Sequence, residues 1–523
     1  MINFKQKRKL ILPAFLAMCL ILIPTLRYNW PLSWDIFYHI NYAIAYANYG
    51  LTFIDPLLNA PIGKTIEYPP LFHFMLLGLS YFIPLDLISI ARVLQIVFAF
   101  LSVFLISYIG FKLYGYIAGI ATGFLLLSSL MFLRLVMPLP ETLSLLFFTL
   151  AIYLYYNSLL QKKWIKSIVT GLLVSLVVMT HFSTAIYLMI ILSIITIWQL
   201  IYSKKISIVL NYILMILPLI ILGLVSLIVL SKINPDQMSL VVNDFINLLF
   251  NPMKIFFGQK AMGLERYITC IGILPLIFGI IGTLITFKTR KHLTICIWVI
   301  TAFVLSNAHW FGIPVYTYRL LVYLLIPLTL IGGYGISYIV KFFEDKKPNV
   351  SSIIFIIIMI LCTFTGIVMF SDEHIADITV ENNISKVQIA PPSMEETEII
   401  NYFKNQEKTD KSVLINNLFL GTILSSSDEI PIHYSFDIYA SPNSSKSSLK
   451  SLQEEKIGYI VYDKSLIDKD DNTTGISVKY VKSDFYPLYY YNKELNEENF
   501  NKIKLAHTTK TFENNRFIVC KVD

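Results

Sequence analysis

Residues 71–85 read LFHFMLLGLSYFIPL, bounded by Pro69 and Pro70 in front and by Pro84 and Asp86 behind. Whether this piece crosses a membrane sets the side of every loop after it. Fifteen residues fall short of the roughly 20 that a helix needs to cross about 30 Å of hydrocarbon. Longer apolar runs accompany it at 10–26, 89–111, 115–133, 141–160, 165–181, 183–202, 206–231, 267–287, 293–308, 319–340 and 351–370. If 71–85 does not span, the basic clusters fall on one side. They are Lys5 to Lys9, Lys112, Lys162 to Lys166, Lys204 and Lys205, Lys288 to Lys291, and Lys341 to Lys347. Positive charge marks cytoplasmic loops. This threading predicts eleven spans, a cytoplasmic N-terminus, and 71–85 lying in or dipping into the outer leaflet.

Composition agrees. Mean hydropathy is +0.65, and 56% hydrophobic against 15% charged residues excludes an ordinary soluble protein. The first run follows the basic KQKRK and lacks a small-residue cleavage site, so it reads as a retained anchor. Four of the five cysteines lie in apolar runs, and there is no CxxC pair or disulfide framework. No internal repeat or nucleotide-binding glycine fingerprint occurs, and the cytoplasmic loops are too short for a nucleotide-sugar or ATP domain.

The predicted outer segments are the first external loop 27–88, the loop 232–266, and turns near 134–141 and 307–319. An odd span count also leaves 371–523 outside. This tail is polar and alternates helical SMEETEIINYFKNQ and SSLKSLQEEK with strand-like SVLINN, IGYIVYD and RFIVCKV. It is expected to form one small α/β domain beside a helical membrane domain, 1–370. Asn383, Asn443 and Asn472 begin N-x-[ST] sequons, compatible with an exposed surface.

Ionisable residues collect on the predicted outer face. PLSWDIFYHI sets Asp35 and His39 four residues apart, on one face of a helix. Asp35 could simply favour a helix start capped by Ser33, and the nearby aromatics suit a membrane interface. MPLPETL places Glu141 at an outer helix start, with Arg134 near enough to pair. MTHFSTA places His181 at an outer hairpin, and MGLERY adds Glu265 and Arg266. YTYRLLVYLLIPLTLIGGYG opens on Arg319, which either snorkels to headgroups or binds an anionic phosphate bidentately.

This arrangement resembles the GT-C class of membrane glycosyltransferases. That class carries an acid just after its first span, matching Asp35, and a Tyr-Pro segment later in the same loop, matching Tyr68 in EYPPLFHF. A second acid follows span three, matching Glu141. An arginine opening a late span matches Arg319, similar to the lipid-phosphate contact of oligosaccharyltransferase catalytic subunits. The resemblance implies a GT-C fold of about 11 transmembrane helices with an extracytoplasmic C-terminal α/β domain, and an archaeal source.

It also implies transfer of a sugar from a dolichyl- or polyprenyl-phosphate donor to a glycan, lipid or protein acceptor, without nucleic acid. Asp35 and Glu141 would be catalytic and Arg319 would bind the donor phosphate. His39, Tyr68, His181 and Glu265 would support them. The resemblance fixes no cofactor; a divalent metal (Mg²⁺ or Mn²⁺), if present, would sit on Asp35 and Glu141. The WWDYG acceptor motif is absent from 371–523, and Pro-Glu stands where oligosaccharyltransferases carry Ser-x-Asp-x-Glu. Both departures weaken en bloc oligosaccharide transfer and a bound divalent metal, and favour a hexosyltransferase moving a single hexose; direct attack opposite the lipid phosphate would make it inverting. A transporter or flippase would instead place its ionisable groups near the bilayer midplane, where these spans carry almost none.

Overall fold

The structure is a computed structural model. It describes residues 10–33, 35–161, 163–233, 263–313, 317–344, 347–371, 394–406, 411–415, 417–433, 456–464 and 508–523, with a few isolated residues and short strands besides. The three sequons and most of 232–262 lie outside the described residues.

All but α2 of the first nine helices fall on the apolar runs: α1 (Ile11–Arg27), α2 (Asp35–Tyr49), α3 (Leu71–Phe82), α4 (Leu87–Tyr114), α5 (Tyr116–Leu127), α6 (Pro140–Gln161), α7 (Trp164–Thr180), α8 (Phe182–Ser203) and α9 (Ser207–Ile233). After them come α10 (Arg266–Cys270), α11 (Ile273–Thr289), α12 (Leu293–Ser306), α13 (Thr317–Glu344) and α14 (Pro348–Ser371). Among the described residues six of these, α4, α6, α8, α9, α13 and α14, are long and apolar enough to cross a membrane by themselves. The chain is a multi-pass membrane protein.

The helix in 71–85 has 12 residues, about 18 Å at 1.5 Å per residue. It begins after Pro70 and stops before Pro84, because a proline cannot donate to the ladder and restricts the residue before it. The run 115–133 is helical only to Leu127. It then tightens into a buried 3-10 segment, Leu130–Leu135, which carries Arg134.

Lipid tails are as apolar as leucine, so these helices adhere by close packing and small residues. α13 is the centre, with 94% of its apolar window buried. A Cβ on Gly282 of α11 would overlap the Ile331 carbonyl of α13, and one on Gly335 would meet the Gly282 backbone at 2.9 Å. In α9 only 11% of that window is buried, which suits a helix facing lipid.

The tail carries α15 (Met394–Lys404), α16 (Leu418–Asp428) and the strands β1 (Ser412–Ile415), β2 (Ile432–His433), β3 (Ile457–Asp463), β4 (Thr508–Glu513) and β5 (Phe517–Val522). They form a sheet in the order β4-β5-β3-β1-β2. β1 runs parallel to β2 and β3, and the other pairs are antiparallel. Arg516 ties the sheet to α15 by bonding buried Asp463 at 2.6 Å and buried Glu396 at 3.4 Å.

The edge strand β2 is covered by the segment between α2 and α3. The Leu57 carbonyl accepts the Ile432 N–H at 2.7 Å, and the Ala60 N–H donates to Ile432 O at 2.8 Å. His433 Nδ1 lies 2.5 Å from Ala60 O. Asn41 of α2 donates to Thr422 O of α16 at 3.3 Å. The loop that carries Asp35 is therefore fastened to the tail.

Candidate active site

Asp35 opens α2. Its N–H donates to Ser33 Oγ at 3.3 Å, and Ser33 adopts φ 91°, a left-handed conformation uncommon away from glycine. Such outliers cluster where surrounding structure holds a functional turn. The Asp35 carboxylate is half-buried and has no hydrogen-bond or ion partner among the described residues.

One turn on, His39 is buried and its Nδ1 lies 3.1 Å from Nε2 of His73 on α3. Burial, with His73 and His181 nearby, holds the His39 ring well below the usual imidazole range. Tyr68 meets the His39 ring edge-to-face at 4.7 Å, and lies 6.1 Å from the His181 ring at a shallow angle.

Tyr68 is the point of convergence. Burial pushes its phenol up to about 12; nearby Asp35 adds to the rise, Arg319 opposes it, and Glu141 and Arg134 act in the same opposed way. Charges on α2, α6, α13 and the 3-10 segment thus all reach one hydroxyl. Glu141, Arg134 and Arg319 also reach the His181 ring.

The supports are polar contacts between helices. His181 caps α8 by accepting the Thr184 N–H at 3.3 Å, and its Nδ1 lies 2.7 Å from Thr184 Oγ1. Thr184 Oγ1 meets the Tyr323 hydroxyl at 2.6 Å and accepts from Ser144 Oγ at 3.0 Å. Tyr323 follows Arg319 by one turn of α13, and Ser144 follows Glu141 on α6. This knot sets the Arg319 and Glu141 ends against each other.

Glu141 is buried and ion-paired with buried Arg134. Arg319 is exposed, in the first turn of α13. Glu265 is also exposed, beside α10, and no described contact joins it to the other candidates. The sequence reading passed over His73, Thr184 and Tyr323. Of these only His73 carried a signal, as an ionisable side chain inside an apolar helix.

Two further groups border the site. Lys64 Nζ stands 4.1 Å over the Tyr38 ring. Asp55 accepts the Leu57 N–H at 2.9 Å, yet burial pushes its carboxyl up to about 6. A cleft of about 320 Å³ lined by Asn48, Tyr49, Lys404 and Lys411 lies at the other end of α2 from Asp35, against the tail.

No protein-family profile matches the sequence, and no curated protein matches it. Solved structures do match. ArnT of Cupriavidus metallidurans, bound to undecaprenyl phosphate, aligns with a TM-score of 0.62 and 10% identity, over 98% of this chain and 97% of that one. The apo oligosaccharyltransferase of Archaeoglobus fulgidus aligns with a TM-score of 0.61 and 11% identity, over 88% of this chain and 70% of that one. The same enzyme, named AglB, was also solved with an inhibitory peptide and a dolichol-phosphate, at a TM-score of 0.60 and 10% identity. This chain has the GT-C fold. At such identities the match speaks for the architecture, and the chemistry has to be argued from the side chains.

Proposed function

We propose that this GT-C protein transfers a sugar, a single hexose, from a polyprenyl- or dolichyl-phosphate donor to an acceptor hydroxyl at the outer membrane face. The reading is supported by the charges of Asp35, Arg319 and Glu141 all acting on the Tyr68 hydroxyl, together with the Ser144–Thr184–Tyr323 contacts that hold the Glu141 and Arg319 helix ends side by side. In this reading residues 1–370 form the catalytic membrane domain, its N-terminus is cytoplasmic, and 371–523 is extracytoplasmic.

Asp35 accepts the proton of the acceptor hydroxyl while its oxygen attacks the anomeric carbon. The bond from that carbon to the phosphate oxygen breaks, its electron pair leaving with the lipid phosphate. Attack opposite the leaving group inverts the anomeric centre. Arg319 binds the phosphate and stabilises its growing charge. Its place in the first turn of a 28-residue helix adds the positive end of the helix dipole. Phosphate leaves readily, so no acid has to protonate it.

Asp35 and Glu141 are the residues that would hold a divalent ion, and AglB was also solved with Zn and sulfate. With Arg134 closed on Glu141, this set supplies one uncommitted carboxylate. Among the described residues no three His, Cys, Asp or Glu side chains converge as metal ligands. No step above runs through a metal. Glu141 serves instead to fix Arg134 and the field around Tyr68.

Two features of the sequence support single-sugar transfer over en bloc transfer: 371–523 carries no WWDYG motif, and Pro-Glu stands in place of Ser-x-Asp-x-Glu. The test is transfer from a radiolabelled polyprenyl-phosphate hexose in membranes containing the protein, beside membranes lacking it. Equal incorporation in the two would sink the proposal.

A further inference from the structure

The buried His39–His73 pair takes no part in the proton transfer drawn above, yet its contacts restrict where its own hydrogens sit. His39 is 2% exposed and His73 fully buried. With His39 Nδ1 3.1 Å from His73 Nε2, one of these nitrogens carries the hydrogen and the other accepts it. Burial disfavours an imidazolium at either position, so two neutral arrangements remain.

In the first, His39 donates from Nδ1, and the hydrogen of His73 must then sit on its own Nδ1. That atom is sealed from solvent and has no hydrogen-bond partner among the described residues. Its ring is walled by Tyr42, Tyr46 and Phe72. In the second, His73 donates from Nε2, and its Nδ1 is left as a bare lone pair. Buried N–H groups without an acceptor are rarer in proteins than under-satisfied acceptors. The second arrangement moves the hydrogen of His39 to Nε2, which also has no protein partner among the described residues but, unlike His73 Nδ1, is not a sealed atom, and so it is the better one.

We infer that His73 is a positioning residue that locks His39 as the Nε2–H tautomer, making His39 a hydrogen-bond donor to an oxygen of the bound sugar phosphate beside Tyr68. Two observations carry this: the orphaned Nδ1 of His73, and the seat of His39 between His73 and Tyr68. Nε2 of His39 has no protein hydrogen-bond partner among the described residues, which leaves its hydrogen for a ligand. A neutral donor suits a hydroxyl or phosphate oxygen, and it could not act as a base from that atom. The role in sugar-phosphate binding rests on the proposed transfer reaction; the tautomer does not.

The pair can be read directly. With eight histidines in the chain, two-bond ¹H–¹⁵N correlation spectra of ¹⁵N-histidine-labelled protein in nanodiscs are tractable, assigned by His39→Ala and His73→Gln. At neutral pH His39 should show a bare Nδ1 and a protonated Nε2. A protonated Nδ1 on His39 would overturn the inference without reference to turnover. In kinetics, His39→Ala should raise the donor KM about tenfold, the worth of one hydrogen bond at the upper end of the usual range, with kcat changed far less. His73→Leu should do the same while freeing the His39 tautomer. His73→Gln, whose amide can still donate, should restore both the Nε2–H signal and most of the donor affinity. A native donor KM in His73→Leu, or no rescue by glutamine in a folded variant, would refute the positioning role.

Discussion

Arg134 and Glu141 form a buried ion pair, with side chains 4% and 8% exposed. The pair joins the 3-10 segment after α5 to the first turn of α6, in the layer where Tyr68 and His181 sit. Removing one partner strands the other charge out of water, which typically costs about 3–5 kcal/mol. Arg134→Ala should therefore lower thermal stability in detergent strongly. Arg134→Met combined with Glu141→Gln should recover much of the loss, because no uncompensated charge remains. A single variant as stable as the parent would show that the pair does not hold this corner.

Asp35→Asn is nearly isosteric, and the carboxylate it replaces has no partner among the described residues to strand. Folding and membrane insertion should be unaffected, while transfer falls by roughly 10²–10⁴-fold if the carboxylate is the general base. Full activity in a well-expressed Asp35→Asn protein would return this residue to a helix-start role.

Arg319→Ala should act mainly on use of the lipid donor, through loss of the bidentate phosphate contact. Arg319→Lys should rescue only in part, since an ammonium keeps the charge without the fork. Donor-concentration series on both variants check this, and equal kinetics for lysine and arginine would argue against bidentate binding.

Asp55 gives a pH signature. Its folded carboxyl is pushed up to about 6 by burial, above its value of about 3.9 in an unfolded chain. The folded state then binds more protons than the unfolded one between those values, so this group's contribution to stability falls as pH rises from about 4 to about 6. Above that window the buried charge is a standing cost. Asp55→Asn keeps an oxygen for the Leu57 N–H and loses the charge. Its melting temperature should exceed the parent's at pH 7 and converge on it below pH 4. A gap that does not change with pH would refute the assignment.

The join between loop and tail can be cut at one atom. Val413 N–H donates to Pro431 O inside the sheet, while the Ile432 N–H donates to Leu57 O of the segment between α2 and α3. Ile432→Pro removes that donor from the docking bond. Limited proteolysis should then cut within 50–66 faster, and transfer should fall because α2 loses part of its anchorage. Unchanged protection of the loop would mean that docking does not depend on this bond.

Threading is open to labelling. Single cysteines at Lys163 and Lys291 should react only with membrane-permeant maleimides in intact cells, and one at Lys510 should react with impermeant reagents. Labelling of 291 and 510 from the same side would contradict an outer-face site.

Much of the architecture is a local property of the chain and was determined by sequence alone. Apolar runs, proline punctuation around 71–85 and the lysine clusters between the runs are set by short-range hydropathy and charge. They place the helices, the break before Pro84 and the start of the polar tail without knowledge of any contact. Asp35, Glu141 and Arg319 stood out for the same reason, as ionisable groups at the ends of apolar helices. What they meet was decided only by tertiary structure. His39 and His73 are 34 residues apart, Thr184 and Tyr323 are 139 apart, and Ala60 and His433 are 373 apart. No periodicity or motif encodes such partners. They are chosen when helices pack at small residues such as Gly282 and Gly335, and when a buried polar atom must find its complement wherever the fold supplies one.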